Sequence, residues 1–221
     1  HTYFNKFKAC LRAAFDEGYL KENLVKKVKG FTMAESTREY LTSHELQNLA
    51  KTECRFPKLK PAFLFSVLTG MRWSDINKLK WKEVRDEGND HLGNPMYRVV
   101  FKQKKTAGAE YLYISRQARD LLGKRQKSED RVFKGLSYSA HMNIQLLKWC
   151  MHAGITKHIT FHSARHTNAV LLLENGADIY TVSKRLGHRE IRTTQIYAKI
   201  IDEKMKQAAE MLPNLNLEKM E

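Results

Sequence analysis

Five polar residues set the terms for any fold of this chain: Arg72, His162, Arg165, His188 and Tyr197. They stand in the segments TGMR (69–72), HSAR (162–165) and LGH (186–188), followed by a tyrosine nine residues after that histidine. Two guanidinium forks, two imidazoles and one phenol make a chemically coherent set only if they meet. A fold that uses them must return widely separated segments to one place, so the set exists only in a fully folded domain.

The chain has 221 residues, enough for one sizeable core and an appendage. Hydrophobic content is 42%, ordinary for a folded protein, but 39 Lys+Arg against 24 Asp+Glu give a net charge of +15. Such an excess attracts polyanions, nucleic acid above all. The cysteines, Cys10, Cys54 and Cys150, lie far apart with no CxxC pair, which argues against a zinc ribbon or disulfide scaffold and fits a reducing cytoplasm. Apolar runs such as AFLFSVL (62–68) are too short to span a bilayer, and no membrane partner is expected. The chain opens on His1 without a signal-peptide pattern, and an upstream segment is expected.

Apolar residues at Phe4, Phe7, Leu11, Ala14 and Phe15, with Gly18 after them, describe one face of an N-terminal helix. The polar stretch KGFTMAESTRE (29–39) reads as a linker. Thr42 and Glu45 have capping-box spacing, with Leu41 and Leu46 as a hydrophobic staple, so a helix over about 43–54 follows. A strongly apolar helix over about 60–69 breaks at Gly70, and Ser74 or Asp75 caps a short helix ending near Trp81. YRVVFKQ (97–103) and EYLYIS (110–115) are strands, joined by KKTAGA (104–109) into a hairpin with lysines at its tip. Helices are expected over about 116–123, 139–153, 161–174, 178–186 and 201–212, with Gly176 and Gly187 as C-terminal glycines. The fold class is therefore mainly α with a small antiparallel β-sheet.

Thr160 can cap the helix that carries His162 and Arg165, which share a face near its positive end, a place suited to phosphate. His162 and His166 also have the i, i+4 spacing of zinc proteases, but Ser163 stands where HExxH needs glutamate, so no metal site is expected. Helices 161–174 and 178–186 could equally form a helix-turn-helix, the mark of a DNA-binding regulator without catalysis. That alternative leaves Arg72 and Tyr197 unexplained.

In order and spacing, TGMRWSDI (69–76), QKKT (103–106), HSARHT (162–167), LGH (186–188) and TTQIYAKI (193–200) resemble the tyrosine recombinase/integrase family of site-specific DNA recombinases. The resemblance covers about residues 40–212. It implies a catalytic domain at 41–221, a linker at 31–40, and at 1–30 the last helix of a helical, SAM-like core-binding domain. It also implies a bacterial, cytoplasmic, nucleoid-associated enzyme that cuts and rejoins strands of double-stranded DNA in recombination or integration of a mobile element. Tyr197 would attack the scissile phosphate and leave a 3′-phosphotyrosine and a 5′-hydroxyl. His162 would help as general base, Arg72 and Arg165 would hold the non-bridging oxygens, and His188 would donate a further hydrogen bond. Lys105, before the turn threonine, would protonate the leaving oxygen.

Lys104 alternates to the other face of the strand, so at most one of the two lysines points inward. Asp75 would be a buried partner that orients the site. Lys102, Lys104, Lys184, Arg185, Arg189 and Arg192 are candidates for phosphate contacts, which position a protein without reading sequence. The resemblance further implies a homotetramer on DNA, compatible with a monomer in solution, and accessory DNA-bending factors. It implies no cofactor. A type IB topoisomerase is the nearest chemical alternative, but its counterpart of His162 is generally lysine.

Overall fold

A computed structural model describes residues 2–30, 38–102, 109–137, 139–188 and 190–197. The expected helix at 201–212 and the hairpin tip at 103–108 lie outside the described residues. The chain divides into two compact units, 1–38 and 39–221. The first contains helix α1 (Thr2–Asp16), which packs with a 3-10 turn at Leu24–Lys27. Phe4, Leu11, Ala14 and Phe15 are half-buried, but Phe7, expected on the same face, is 60% exposed.

In the second unit the capping box forms as the sequence predicts. Thr42 Oγ1 accepts from the Glu45 N–H at 3.2 Å, and Glu45 Oε2 accepts from the Thr42 N–H at 2.7 Å. Helix α2 (Ser43–Lys51) starts there, with Leu41 fully buried and Leu46 packed on the same core. Helix α3 (Leu59–Thr69) is apolar on every side and buries Leu59, Ala62, Phe63, Phe65 and Val67. Full burial of each large apolar side chain contributes about 1.5–3 kcal/mol, which makes α3 the centre of the domain.

Helix α4 (Trp73–Ile76) is preceded by the extended residue Arg72. Ser74 and Asp75 therefore lie inside the helix rather than capping it. It also ends sooner than expected, and Trp81 opens a 3-10 turn at Trp81–Glu83.

Strands β1 (Val84–Asn89), β2 (Pro95–Lys102) and β3 (Ala109–Ile114) form an antiparallel sheet in the order β1-β2-β3. Val84 pairs with Val99, which pairs with Leu112, and these three residues and Ile114 form the buried face. Strand β1 is an addition to the expected hairpin.

Helices α5 (Arg116–Asp120), α6 (Ala140–His152), α7 (Phe161–Glu174) and α8 (Ile179–Arg185) complete the described unit. The Ser115, Ser139 and Asp178 side chains cap α5, α6 and α8. Helix α7 buries most of its residues against the core, including Arg165, His166, Thr167 and Asn168, so it is a central helix rather than one half of an exposed helix-turn-helix. Phe161 meets Phe63 and Trp73 edge-on at 5.6 and 4.7 Å between ring centres.

Gly70 is where α3, α7 and the end of α8 come together. Its φ is +71°, and a Cβ there would lie 2.6 Å from Leu186 Cδ2 and 2.7 Å from Asn168 Oδ1. Gly70→Ala should therefore combine a left-handed penalty of about 1–2 kcal/mol with overpacking of about 1–3 kcal/mol. A fall in melting temperature of about 10 °C is expected by circular dichroism. An unchanged melt would contradict the packing.

Candidate active site

Three ties bind α7 to the end of α3 and to the end of α8. Arg165 Nη1 donates to the Gly70 carbonyl at 2.6 Å, and Asn168 Nδ2 donates to the Val67 carbonyl at 2.7 Å. Arg165 Nη2 donates to the Leu186 carbonyl. One guanidinium fork thereby joins the segment that carries Arg72 to the segment that carries His188.

His188 is placed by the way α8 ends. Gly187, with φ +59°, donates to the Lys184 carbonyl at 2.8 Å, and the His188 N–H donates to the Ser183 carbonyl at 3.0 Å. This pair of bonds closes a helix with a left-handed glycine and turns the next residue away from the axis. The His188 ring is then held by Thr194, whose buried Oγ1 lies 2.8 Å from Nδ1.

Tyr197 follows one turn later, its N–H donating to the Thr194 carbonyl at 3.1 Å. Its ring is buried, 6% exposed, among Ala169, Val170, Leu173, Val182 and Leu186. Its hydroxyl hydrogen-bonds His166 Nδ1. His166 in turn meets the exposed His162 edge-on, with 4.7 Å between ring centres. At the start of α7 the Thr160 N–H donates to Ser163 Oγ at 3.1 Å, so the serine that replaces the protease glutamate serves the helix cap.

The electrostatics show how close these groups are. Burial pulls the Arg165 guanidinium down from 12.5 to about 9; the Arg72 charge adds to this, while Tyr197 and Asp75 oppose it. Burial also lowers His188 from 6.5 to about 4, helped by the charges of Arg165, Arg72 and His162. Arg72, His162, Arg165, His188 and Tyr197 are thus brought together, with Asp75 buried beside them. Two arginines crowd a poorly solvated space, an arrangement that an anion relieves.

The depressed His188 value makes a prediction about stability. Between pH 4 and 6.5 the unfolded chain binds the proton that the folded site resists, so stability falls as pH drops through this window. Urea midpoints should fall more steeply from pH 7 to pH 4.5 in the wild type than in His188→Asn. Parallel curves would contradict the burial of that ring.

The other expected contacts have mixed placements. Lys104, Lys105 and Arg189 lie outside the described residues, and Lys102 is described only as the last backbone position of β2. Lys184 is exposed, with its ammonium 5.4 Å from the Tyr180 ring centre. Arg192 is exposed in a 3-10 turn at Ile191–Thr193. Arg185 points inward, its Nη1 and Nη2 donating to the carbonyls of Tyr113 and Leu68 at 3.2 and 3.4 Å, so it links α8 to the sheet and α3.

Sequence reasoning missed Thr194 and the part played by His166. Nothing local marks Thr194, and helical spacing presents His166 only as a partner of His162. Among the described residues no three His, Cys, Asp or Glu side chains gather as a metal-ligating group.

Comparison with known proteins identifies the family. Residues 39–204 match the phage integrase family. The chain belongs to this family. It is 42% identical over 98 residues to tyrosine recombinase XerD of Oceanobacillus iheyensis, across 42% of this chain and 33% of that protein. It is 30% identical over 199 residues to tyrosine recombinase XerD of Lacticaseibacillus casei, across 82% of this chain and 65% of that protein. The integrase-family chain thus spans about a third to two thirds of the length of these relatives. Its fold is shared with a lambda integrase dimer bound to a COC′ core site, with a TM-score of 0.66 at 18% identity over 97% of this chain and 75% of the other. Among the described residues no helix is long and apolar enough to cross a membrane.

Proposed function

We propose that this chain is the catalytic part of a site-specific DNA recombinase that cuts and rejoins strands through a covalent link to Tyr197. The observation that carries the reading is the cluster of half-buried Arg72 and His188 around buried Arg165, beside the buried Tyr197. Two guanidinium groups suit the non-bridging oxygens of a phosphodiester, and the buried Arg165, held near 9, stays charged at neutral pH. His188, neutral near pH 7, donates through Nε2 when Thr194 donates to its Nδ1.

In this reading the Tyr197 oxygen attacks phosphorus, an O–P bond forms, and the P–O5′ bond breaks. Lys105 supplies the proton taken by the departing oxygen. The energy of the broken bond is kept in the phosphotyrosine, so the reverse attack by a 5′-hydroxyl reseals the strand. Asp75 orients the cluster, and Lys102, Lys104, Lys184, Arg189 and Arg192 contribute phosphate contacts around it. The assembly in this reading is a homotetramer on double-stranded DNA with accessory bending factors, in the bacterial cytoplasm at the nucleoid. Its setting is a mobile element, which an attachment site beside the gene would support.

The test is covalent capture. A pool of nicked duplexes with a randomised core is incubated with the chain and stripped with detergent, and the retained DNA is sequenced. The expected result is a retained set with a common site, attached to a peptide that contains Tyr197. Attachment at any other residue would refute the assignment.

A further inference from the structure

The Tyr197 hydroxyl is held by a residue that the sequence motifs leave without a task. His166 sits one helical turn beyond His162 on α7, is 6% exposed, and directs Nδ1 at the Tyr197 oxygen from 31 residues away. Its ring is 5.8 Å from the Tyr197 ring centre and 4.7 Å from that of His162. His162 lies on the exposed side of this pair and His166 on the buried side, against the nucleophile.

We propose that His166 is a proton acceptor for Tyr197. The proposal rests on Tyr197 being the nucleophile. As the Tyr197 oxygen bonds to phosphorus, its proton passes to His166 Nδ1, giving an imidazolium, while the P–O5′ pair leaves with the departing oxygen. On resealing, the same proton returns to the phenol.

The surroundings make this transfer conditional on substrate. The groups gathered around the pair are His162 and Arg165 on α7, Arg72 and Asp75 at α4, and His188 after α8. Arg72 and Arg165 bring two positive charges to this cluster. A bound phosphodiester offsets them, which couples the proton transfer to DNA in place.

Two measurements on the full chain decide the matter. In 15N-histidine spectra His166 Nδ1 should be the unprotonated, accepting nitrogen, and Tyr197→Phe should shift it. A protonated Nδ1, or a nitrogen unmoved by Tyr197→Phe, would overturn the proposal without any DNA present. In the capture assay His166→Gln should retain duplex affinity but form adduct about 10²-fold more slowly, since general base catalysis typically contributes about 10²–10⁴. The acid limb of its rate–pH profile should disappear, which a merely structural role would not cause. Adduct confined to Tyr197 but formed at the wild-type rate and pH profile by His166→Gln would remove His166 alone. Adduct formed by Tyr197→Phe would remove the nucleophile and the base together.

Discussion

Tyr197→Phe should abolish covalent attachment to DNA while leaving the domain folded and able to bind duplex. The phenylalanine ring keeps every apolar contact with Ala169, Val170, Leu173, Val182 and Leu186, because only the hydroxyl is removed. The lost hydrogen bond to His166 is worth about 1 kcal/mol, a small fraction of domain stability. Chemistry, in contrast, has no substitute, because a phenyl ring carries no oxygen to attack phosphorus. Detergent-resistant complexes should fall to background, with duplex affinity unchanged by gel shift. Steep loss of that affinity with added salt should be the same in both proteins, since phosphate contacts release counterions regardless of the nucleophile. A detergent-resistant complex from the phenylalanine variant would show that another residue attacks.

Much of the scaffold around this residue was legible beforehand, for local reasons. The Thr42–Glu45 capping box, the Gly70 break and the glycine end of α8 are encoded within a few residues of where they act. The hairpin strands β2 and β3 stood out because one face is apolar and β-branched. Strand β1 did not, because in VRDEGN only Val84 is buried and the rest is an edge held by pairing to β2. Propensity cannot announce a strand whose reason to exist is its neighbour. The start of α4 was misplaced for a related reason: Arg72, an undistinguished helix opener by type, is fixed as the extended residue before it by the turn at Gly70.

The site shows the same division. Motif spacing picked out the residues that the fold brings together, but not the tie between His166 and Tyr197, which are 31 residues apart and on different elements. Helical spacing paired His166 with His162, which is correct as geometry and silent about the phenol. Arg185 looked like one more cation in a basic run, yet the fold turns it inward onto two carbonyls. Charge counts do not distinguish a cation that meets DNA from one that ties two elements together.

Arg165→Lys should be nearly as damaging to the reaction as loss of the nucleophile, because Arg165 holds two things at once. Its fork bonds the carbonyls of Gly70 and Leu186 and so keeps the Arg72 and His188 segments in register. A lysine ammonium is a compact charge and cannot span both carbonyls while presenting a planar face to phosphate. Loss of one preorganised donor to developing charge costs about 10²–10³ in rate, and displaced partners add to that. The adduct rate should therefore drop by about 10³-fold at least.

A DNA-free companion measurement separates anion binding from chemistry. Burial and Arg72 hold the Arg165 value down near 9, so the site carries poorly solvated charge that sulfate should relieve. At sulfate concentrations about 100-fold above its dissociation constant, the folded wild type should gain about 2.7 kcal/mol, and Arg165→Met should gain little. Equal gains in the two proteins would place the anion elsewhere, and a lysine variant cutting at the wild-type rate would remove Arg165 from the reaction.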